Sequence, residues 1–266
     1  MTTSTYIKSQ SHTQHHKELS DPQLLRYSRH IMLPSMDIDG QTALWNARVL
    51  VIGVGGLGCS AAQYLVAAGI GQVTLVDDDV VELNNLQRQV LHTEDRVGVA
   101  KTESAKLALS QINSDVSITT ITQRLDDAAL LNTIAQHDIV LDCTDNLSSR
   151  QGINAACFAT KTPLVSGAAI RFEGQVSTYT MQPDTACYAC VARLFTQPNL
   201  TCSEAGVLSP IVGMVGCIQA AEAIKTIASI GEVLSGKLLM IDGLTMAFNT
   251  LNIKPDLACP VCRVSE

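Results

Sequence analysis

The sequence predicts an α/β fold. A Rossmann-like nucleotide-binding half (19–160) runs on into a half with a mixed or antiparallel sheet (161–266), and the cysteines there suggest a structural zinc site. Three observations carry this. First, Arg48-Val-Leu-Val-Ile-Gly-Val-Gly-Gly-Leu-Gly-Cys59 reads as a buried strand entering a glycine-rich turn and then a helix. Second, short β-branched runs alternate with amphipathic segments as far as about residue 160, the pattern of a parallel sheet. Third, Gly174 to Thr180 alternates apolar and polar residues, the pattern of a half-buried antiparallel strand.

Composition narrows the function classes. The chain has 266 residues, 46% hydrophobic and 16% charged, enough for a large core in one domain. Its net charge of −7 and its 4% aromatic content argue against nucleic acid as a partner. Without an uninterrupted apolar run of roughly 18 residues or a signal-peptide core, no membrane association is expected and a cytoplasmic location is. An odd cysteine count, 9, fits reduced thiols and a metal better than disulfides.

Residues 1–18 are polar, without apolar periodicity, and are expected to form a disordered tail. Ser20-Asp-Pro-Gln23 has capping-box spacing, so a short helix carrying Leu24 to Arg29 follows, and Gly40 to Trp45 predicts a second. Val49 to Ile52 is the opening strand. Gly53, Gly55, Gly56 and Gly58 remove side chains where the backbone turns sharply, and the helix behind them offers free N–H groups to an anion. Taken alone, that pattern fits a dinucleotide, a mononucleotide or tight strand–helix packing.

Ala61 to Ala68 continues the helix, Gly69-Ile-Gly71 ends it, and Val73 to Val76 is the next strand. That strand delivers Asp77 roughly twenty residues beyond the glycines, where an acidic side chain meets a ribose. Asn84, Asn85, Leu86, Gln87, Arg88 and Lys101 follow in close succession. Hydride transfer has no evident use for Arg88 and Lys101, whereas cleavage between the α and β phosphates of a nucleoside triphosphate needs fixed cations. Lys101 opens a helix to Ile112, Val116 to Thr122 is a strand and Asp126 to Ala135 a helix. Ile139 to Leu141 then brings Asp142, Asp145 and Asn146 to the carboxyl edge of the sheet. A hard carboxylate there suits Mg²⁺, and Asp145 is also placed to cap the helix beginning at Leu147. In the second half Pro163 to Val165, Leu238 to Ile241 and Met246 to Leu251 read as strands and Pro210 to Ile230 as a helix, with a polar crossover from Phe195 to Gly206.

Cys187-x-x-Cys190 and Cys259-x-x-Cys262 supply the soft thiolates of a tetrahedral zinc site, although their separation does not by itself show that the pairs meet. A redox role is the rival reading. Cys59, Cys143, Cys157 and Cys217 fall in packed elements and read as small apolar fillers.

Together these residues resemble the MoeB/ThiF family of adenylyltransferases, relatives of the ubiquitin-activating enzymes, with the MoeB type nearer. The resemblance rests on Leu24-Leu-Arg-Tyr-Ser-Arg29, Gly53 to Gly58, Asp77, Asn85 to Arg88, Lys101 and Asp142 to Asn146. It extends over Ser166 to Gln175, both cysteine pairs and Cys202-Ser-Glu-Ala-Gly206. It implies an ATP-dependent adenylation of the C-terminal Gly-Gly carboxylate of a ubiquitin-like sulfur carrier. That carrier would be the small subunit of molybdopterin synthase or, alternatively, the thiamine sulfur carrier; an NAD-dependent oxidoreductase is a remote third reading. The resemblance further implies Asp77 on the ribose, Asn84 to Arg88 and Asn146 on the nucleotide, Lys101 on phosphate and Asp145 on Mg²⁺. Zinc would sit between the cysteine pairs, and Arg29 would reach the partner's site in a homodimer. Related activating enzymes place an acyl- or sulfur-accepting thiol in the loop of Cys202, the alternative being an accessory thiol, and sulfur would be supplied by a separate donor protein. His30 stands where glutamine is expected and Asn84 where serine is common.

Overall fold

The computed structural model describes residues 17–182, 184–194 and 205–263. The expected polar tail lies outside them up to residue 16. Near Ser20 the chain turns as the capping-box spacing predicts: the Ser20 N–H donates to Gln23 Oε1 at 3.0 Å. The expected continuous helix to Arg29 breaks into Asp21–Arg26 and Ser28–Ile31. The break falls at buried Tyr27, whose ring packs over Gly69 and whose hydroxyl accepts from Asn113 Nδ2 at 2.8 Å. Anchoring the ring inward costs one helical turn its regular geometry.

The strands are β1 (Arg48–Ile52), β2 (Gln72–Val76), β3 (Ser117–Ile121), β4 (Ile139–Asp142), β5 (Leu164–Ile170), β6 (Glu173–Tyr179), β7 (Lys237–Asp242) and β8 (Ala247–Asn252). They form one eight-stranded sheet in the order β3-β2-β1-β4-β5-β6-β7-β8. Strands β3 to β5 in this order are parallel, and β6, β7 and β8 are added antiparallel. The β1, β2 and β4 runs are apolar because helices cover both faces of a parallel sheet. By contrast β8 is almost wholly exposed on Phe248, Asn249, Thr250 and Leu251. Strand β5 outruns the expected Pro163 to Val165 because Ser166 to Ile170 pair residue for residue with β6.

Chain order reverses between β1 and β4, whose Ile52 and Asp142 are in register. In a doubly wound sheet the helices on either side of such a switch leave on opposite faces, and a crevice opens at the strands' carboxyl ends. From β1 the chain enters the helix Gly56–Ala67, and from β4 the helix Leu147–Thr160. The long helix Ser209–Ala228 lies against the first of these, so closely that a Cβ on Gly216 would strike the Leu57 carbonyl. By length and composition it is apolar enough to cross a membrane. Here its Ile211, Val212, Val215, Ala220 and Ala223 are core residues, and buried Glu222 accepts from Thr178 Oγ1 at 2.6 Å and Leu234 N at 2.7 Å.

Two helical glycines therefore respond oppositely to a methyl group. A Cβ on Gly58 would fall inside the Gly53 carbonyl, whereas one on Gly152 first meets Leu130 at 3.8 Å. Gly58→Ala should lose at least about 1–3 kcal/mol through overpacking. Gly152→Ala should gain roughly 0.5–1 kcal/mol from helix propensity. Urea unfolding of both variants measures the difference, and equal stabilities would contradict the packing described.

Candidate functional site

The crevice at the β1/β4 switch is a cleft of about 1040 Å³. Its floor is the glycine turn. Gly53 has φ +91°, and a Cβ there would meet the Cys143 carbonyl at 2.7 Å. The Val54 peptide that follows is gripped at both ends. Its N–H donates to Asp77 Oδ2 at 2.6 Å, and its carbonyl lies 3.1 Å from Nε2 of buried His92. A carbonyl only accepts, so Nε2 carries the proton and Nδ1 accepts from Ser104 Oγ at 3.0 Å. Burial holds the His92 pKa below its ordinary value, which favours this neutral form. Asp77 is pulled the other way. Burial raises its pKa, and Lys101 and the Val54 and Asp79 N–H groups work against that rise.

Of the sequence-derived candidates, Gly53, Gly55, Gly56, Asp77, Asn85, Arg88, Lys101, Asp145 and Asn146 line this one cleft. Lys101 reaches it through a short antiparallel pairing of Val80 with Ala100, which also sets the Lys101 N–H on the Asp79 carbonyl at 3.0 Å. Its side chain is 8% exposed, with the ammonium 2.7 Å from Asp79 Oδ2, whose side chain is 68% exposed. A buried cation with so accessible a partner can exchange that carboxylate for a phosphate. Asp79 is thus the counterion of Lys101.

Asp145 is exposed at the opposite wall. Asp145 was one candidate for the cap of the following helix; the cap is instead Asn146, whose Oδ1 accepts from Ser149 N at 2.9 Å. That leaves the Asp145 carboxylate free of capping and available to a hard cation. Asp142, by contrast, is fully buried and accepts from Thr144 N, Thr144 Oγ1 and Ser166 Oγ at 3.0, 2.7 and 3.0 Å.

Other candidates lie away from the cleft. Gly58 serves packing against Gly53. Asn84 accepts from Asn85 Nδ2 at 2.6 Å, and its carbonyl accepts from Arg88 Nη1 at 3.2 Å, so it aims those two side chains. Leu86 is half-buried and Gln87 exposed, neither facing the cleft. Arg29 is exposed outside its own chain's cleft, with Nη1 3.6 Å from Met32 Sδ. Cys202 lies outside the described residues.

The two cysteine pairs do meet. The Sγ atoms of Cys187, Cys190, Cys259 and Cys262 all lie within 4.8 Å of one another. Cys187 is 3.7 Å from Cys259 and Cys190 is 3.5 Å from Cys262. Zinc–sulfur bonds of about 2.3 Å in a tetrahedron put sulfurs about 3.8 Å apart, so this donor set fits zinc. Asn154 Nδ2 and Asp256 N point at Cys187 Sγ and Cys190 Sγ from 3.6 and 3.4 Å, the outer hydrogen bonds that thiolates accept. Cys59, Cys143 and Cys157 are buried fillers; burial pushes the Cys59 thiol up to about 12 and the other two well above their ordinary value.

The cleft also contains groups that the sequence reading passed over. Arg124, Arg150 and Arg171 line it, and Arg150 lies one helical turn after Asn146, a spacing that shares a helix face. His92 gives no sequence signal, since its role depends on a contact with Val54 across 38 positions.

The sequence pattern of the ThiF family matches residues 27–261. The molybdopterin-synthase adenylyltransferase of Escherichia coli (strain K12) is 52% identical over 245 residues, which are 92% of this chain and 98% of that protein. The sulfur carrier protein ThiS adenylyltransferase of the same organism is 43% identical over 244 residues, 92% of this chain and 97% of that one. Among solved structures, a crystal structure of E. coli MccB with ATP superposes with a TM-score of 0.76 at 27% identity, covering 89% of this chain and 74% of the other. On the family pattern and these identities, the chain belongs to the ThiF family.

Proposed function

We propose that this protein is an ATP-dependent adenylyltransferase that activates the C-terminal Gly-Gly carboxylate of a ubiquitin-like sulfur carrier, the small subunit of molybdopterin synthase, for molybdenum-cofactor biosynthesis. The observation that carries the reading is one cleft uniting a glycine turn, two basic side chains, Arg88 and Lys101, and a free carboxylate, Asp145. The 52% identity to an E. coli protein named molybdopterin-synthase adenylyltransferase supports the choice of carrier over that of the ThiS adenylyltransferase, at 43%. Hydride transfer gives Arg88, Lys101 and Asp145 no evident chemical role.

In this reading the turn at Gly53 to Gly56 receives the phosphates and Asp77 the ribose. The carrier's carboxylate oxygen attacks the α-phosphorus, the bond to the β-phosphate oxygen breaks, and pyrophosphate leaves. Arg88 and Lys101 stabilise the charge that builds on the α-phosphate and on the leaving group. Asp145 would hold Mg²⁺, which supplies positive charge to the departing phosphates. No enzyme nucleophile is needed, because positioning and charge carry the step. Sulfur would arrive from a separate donor protein in the cytoplasm.

The same proposal makes the enzyme a homodimer with composite sites, a single adenylation domain from residue 19 onward, and a structural zinc protein. Exposed Met32, Leu33 and Ile38 beside Arg29 support an isologous contact from which Arg29 enters the partner's cleft. Zinc would be held by Cys187, Cys190, Cys259 and Cys262, tying the chain's last described turn to the helix that follows Ala186.

Arg88→Ala, Lys101→Ala and Asp145→Ala should each cut carrier-dependent exchange of pyrophosphate into ATP by about 10²–10³-fold with the fold intact. Near-normal exchange in Asp145→Ala would remove that residue from the magnesium role. Mixing Arg29→Ala with Asp145→Ala subunits should restore roughly a quarter of native activity, since half the dimers then hold one intact composite site. No recovery after verified subunit exchange would exclude Arg29 acting in trans. Protein purified without chelator should contain about one zinc per chain. A value below about half an equivalent counts against the metal assignment.

A further inference from the structure

The helix Leu147–Thr160 touches both the cleft and the cysteine cluster. Its cap, Asn146, and then Arg150 and Asn154 recur at i+4 spacing and so share one face. Arg150 Nη2 donates to the Thr144 carbonyl at 2.6 Å, the peptide that leads into Asp145. The same guanidinium lies beside the Tyr188 hydroxyl and the Asp142 carboxylate. Tyr188 follows Cys187 in the chain. Its N–H donates to Asn154 Oδ1 at 2.9 Å, while Asn154 Nδ2 points at Cys187 Sγ from 3.6 Å. Tyr188 is 8% exposed, and its ring packs edge-on against Tyr179, with centroids 6.3 Å apart.

We propose that Arg150 and Tyr188 are positioning residues that couple the Cys187/Cys190/Cys259/Cys262 cluster to Asp145, fixing the Thr144–Asp145 backbone so that the carboxylate meets the nucleotide's Mg²⁺. This rests on the adenylation reading given above and adds to it a use for the metal-binding lobe. Two observations set Arg150 apart from an ordinary helix-end contact. Its Nε is buried without a hydrogen-bond partner, a cost that helix packing alone does not require. The Asp142 and Asp145 carboxylates favour its charge against burial. Thr144 is also fixed from its other side, its N–H and hydroxyl donating to Asp142 Oδ1, so the carbonyl held by Arg150 decides how the next residue is aimed.

The test compares Tyr188→Phe, Arg150→Lys, their double variant and Asp145→Ala, each as the full zinc-loaded chain. Binding of Mn²⁺ in the presence of ATP is followed by its electron paramagnetic resonance. ATP affinity in EDTA and zinc content are measured alongside. Tyr188→Phe and Arg150→Lys should keep native zinc and native ATP affinity in EDTA while weakening Mn²⁺ binding about tenfold, the usual effect of losing an outer partner of a ligand. The double variant should be no worse than the stronger single one, because both act through one contact. Native Mn²⁺ binding in both single variants, with Asp145→Ala impaired, overturns the coupling and leaves the Asp145 assignment standing. Native binding in Asp145→Ala overturns that assignment and the coupling with it. Equal loss of zinc, ATP affinity and Mn²⁺ binding in Tyr188→Phe also overturns the proposal, since a general structural role then suffices.

Discussion

The backbone of Gly53 passes so close to that of Cys143 that no methyl group fits between them, and the site depends on that approach. It brings the ends of β1 and β4 together, so that the turn of one and the polar loop of the other face each other across the cleft. The Gly53 carbonyl in turn excludes any side chain at Gly58, which seats the helix Gly56–Ala67 tightly behind the turn. Asp77 and His92 then fix the Val54 peptide from either end. For the turn to receive phosphates as proposed, its remaining N–H groups must be aimed before the ligand arrives, and these contacts fix the backbone that carries them.

Charge is distributed around this frame with a purpose that the protein's acidic composition conceals. Lys101 is almost fully buried, yet its partner Asp79 is largely in solvent. Such a pair contributes little to stability once solvent screening of Asp79 is considered. Its value lies in holding a cation ready for an anionic ligand. After β4, Asn146 takes over the capping duty and leaves the Asp145 carboxylate free of it. The cleft thus combines fixed cations with accessible carboxylates, the arrangement that the proposed adenylation of a Mg²⁺-bound nucleotide would use.

The parallel strands and the helix Lys101–Ile112 were legible in the sequence because their apolar periodicity is local, and the helix begins and ends where its pattern does. What failed was decided at long range. Tyr27 breaks a helix because of Asn113 and Gly69, and β5 extends because β6 lies beside it. Within the site, Asp77, Arg88, Lys101 and Asp145 could be picked out by residue type and position along the motifs. Asp79, His92 and Arg150 could not, since each owes its role to one contact formed only on folding. The choice between Asp145 and Asn146 as helix cap turned on a single residue of register, which composition does not resolve. The cysteine pairs were legible as ligands, but their meeting across 72 positions was not.

The central claim is that the cleft transfers adenylate, so the phosphorus that moves is the α-phosphorus. The most direct measurement uses ATP labelled with ³²P separately at the α and γ positions, with Mg²⁺ and the small subunit of molybdopterin synthase. The account predicts α-label on the acid-trapped carrier and γ-label in pyrophosphate. Label from the γ position on the carrier, with ADP as the product, would contradict it.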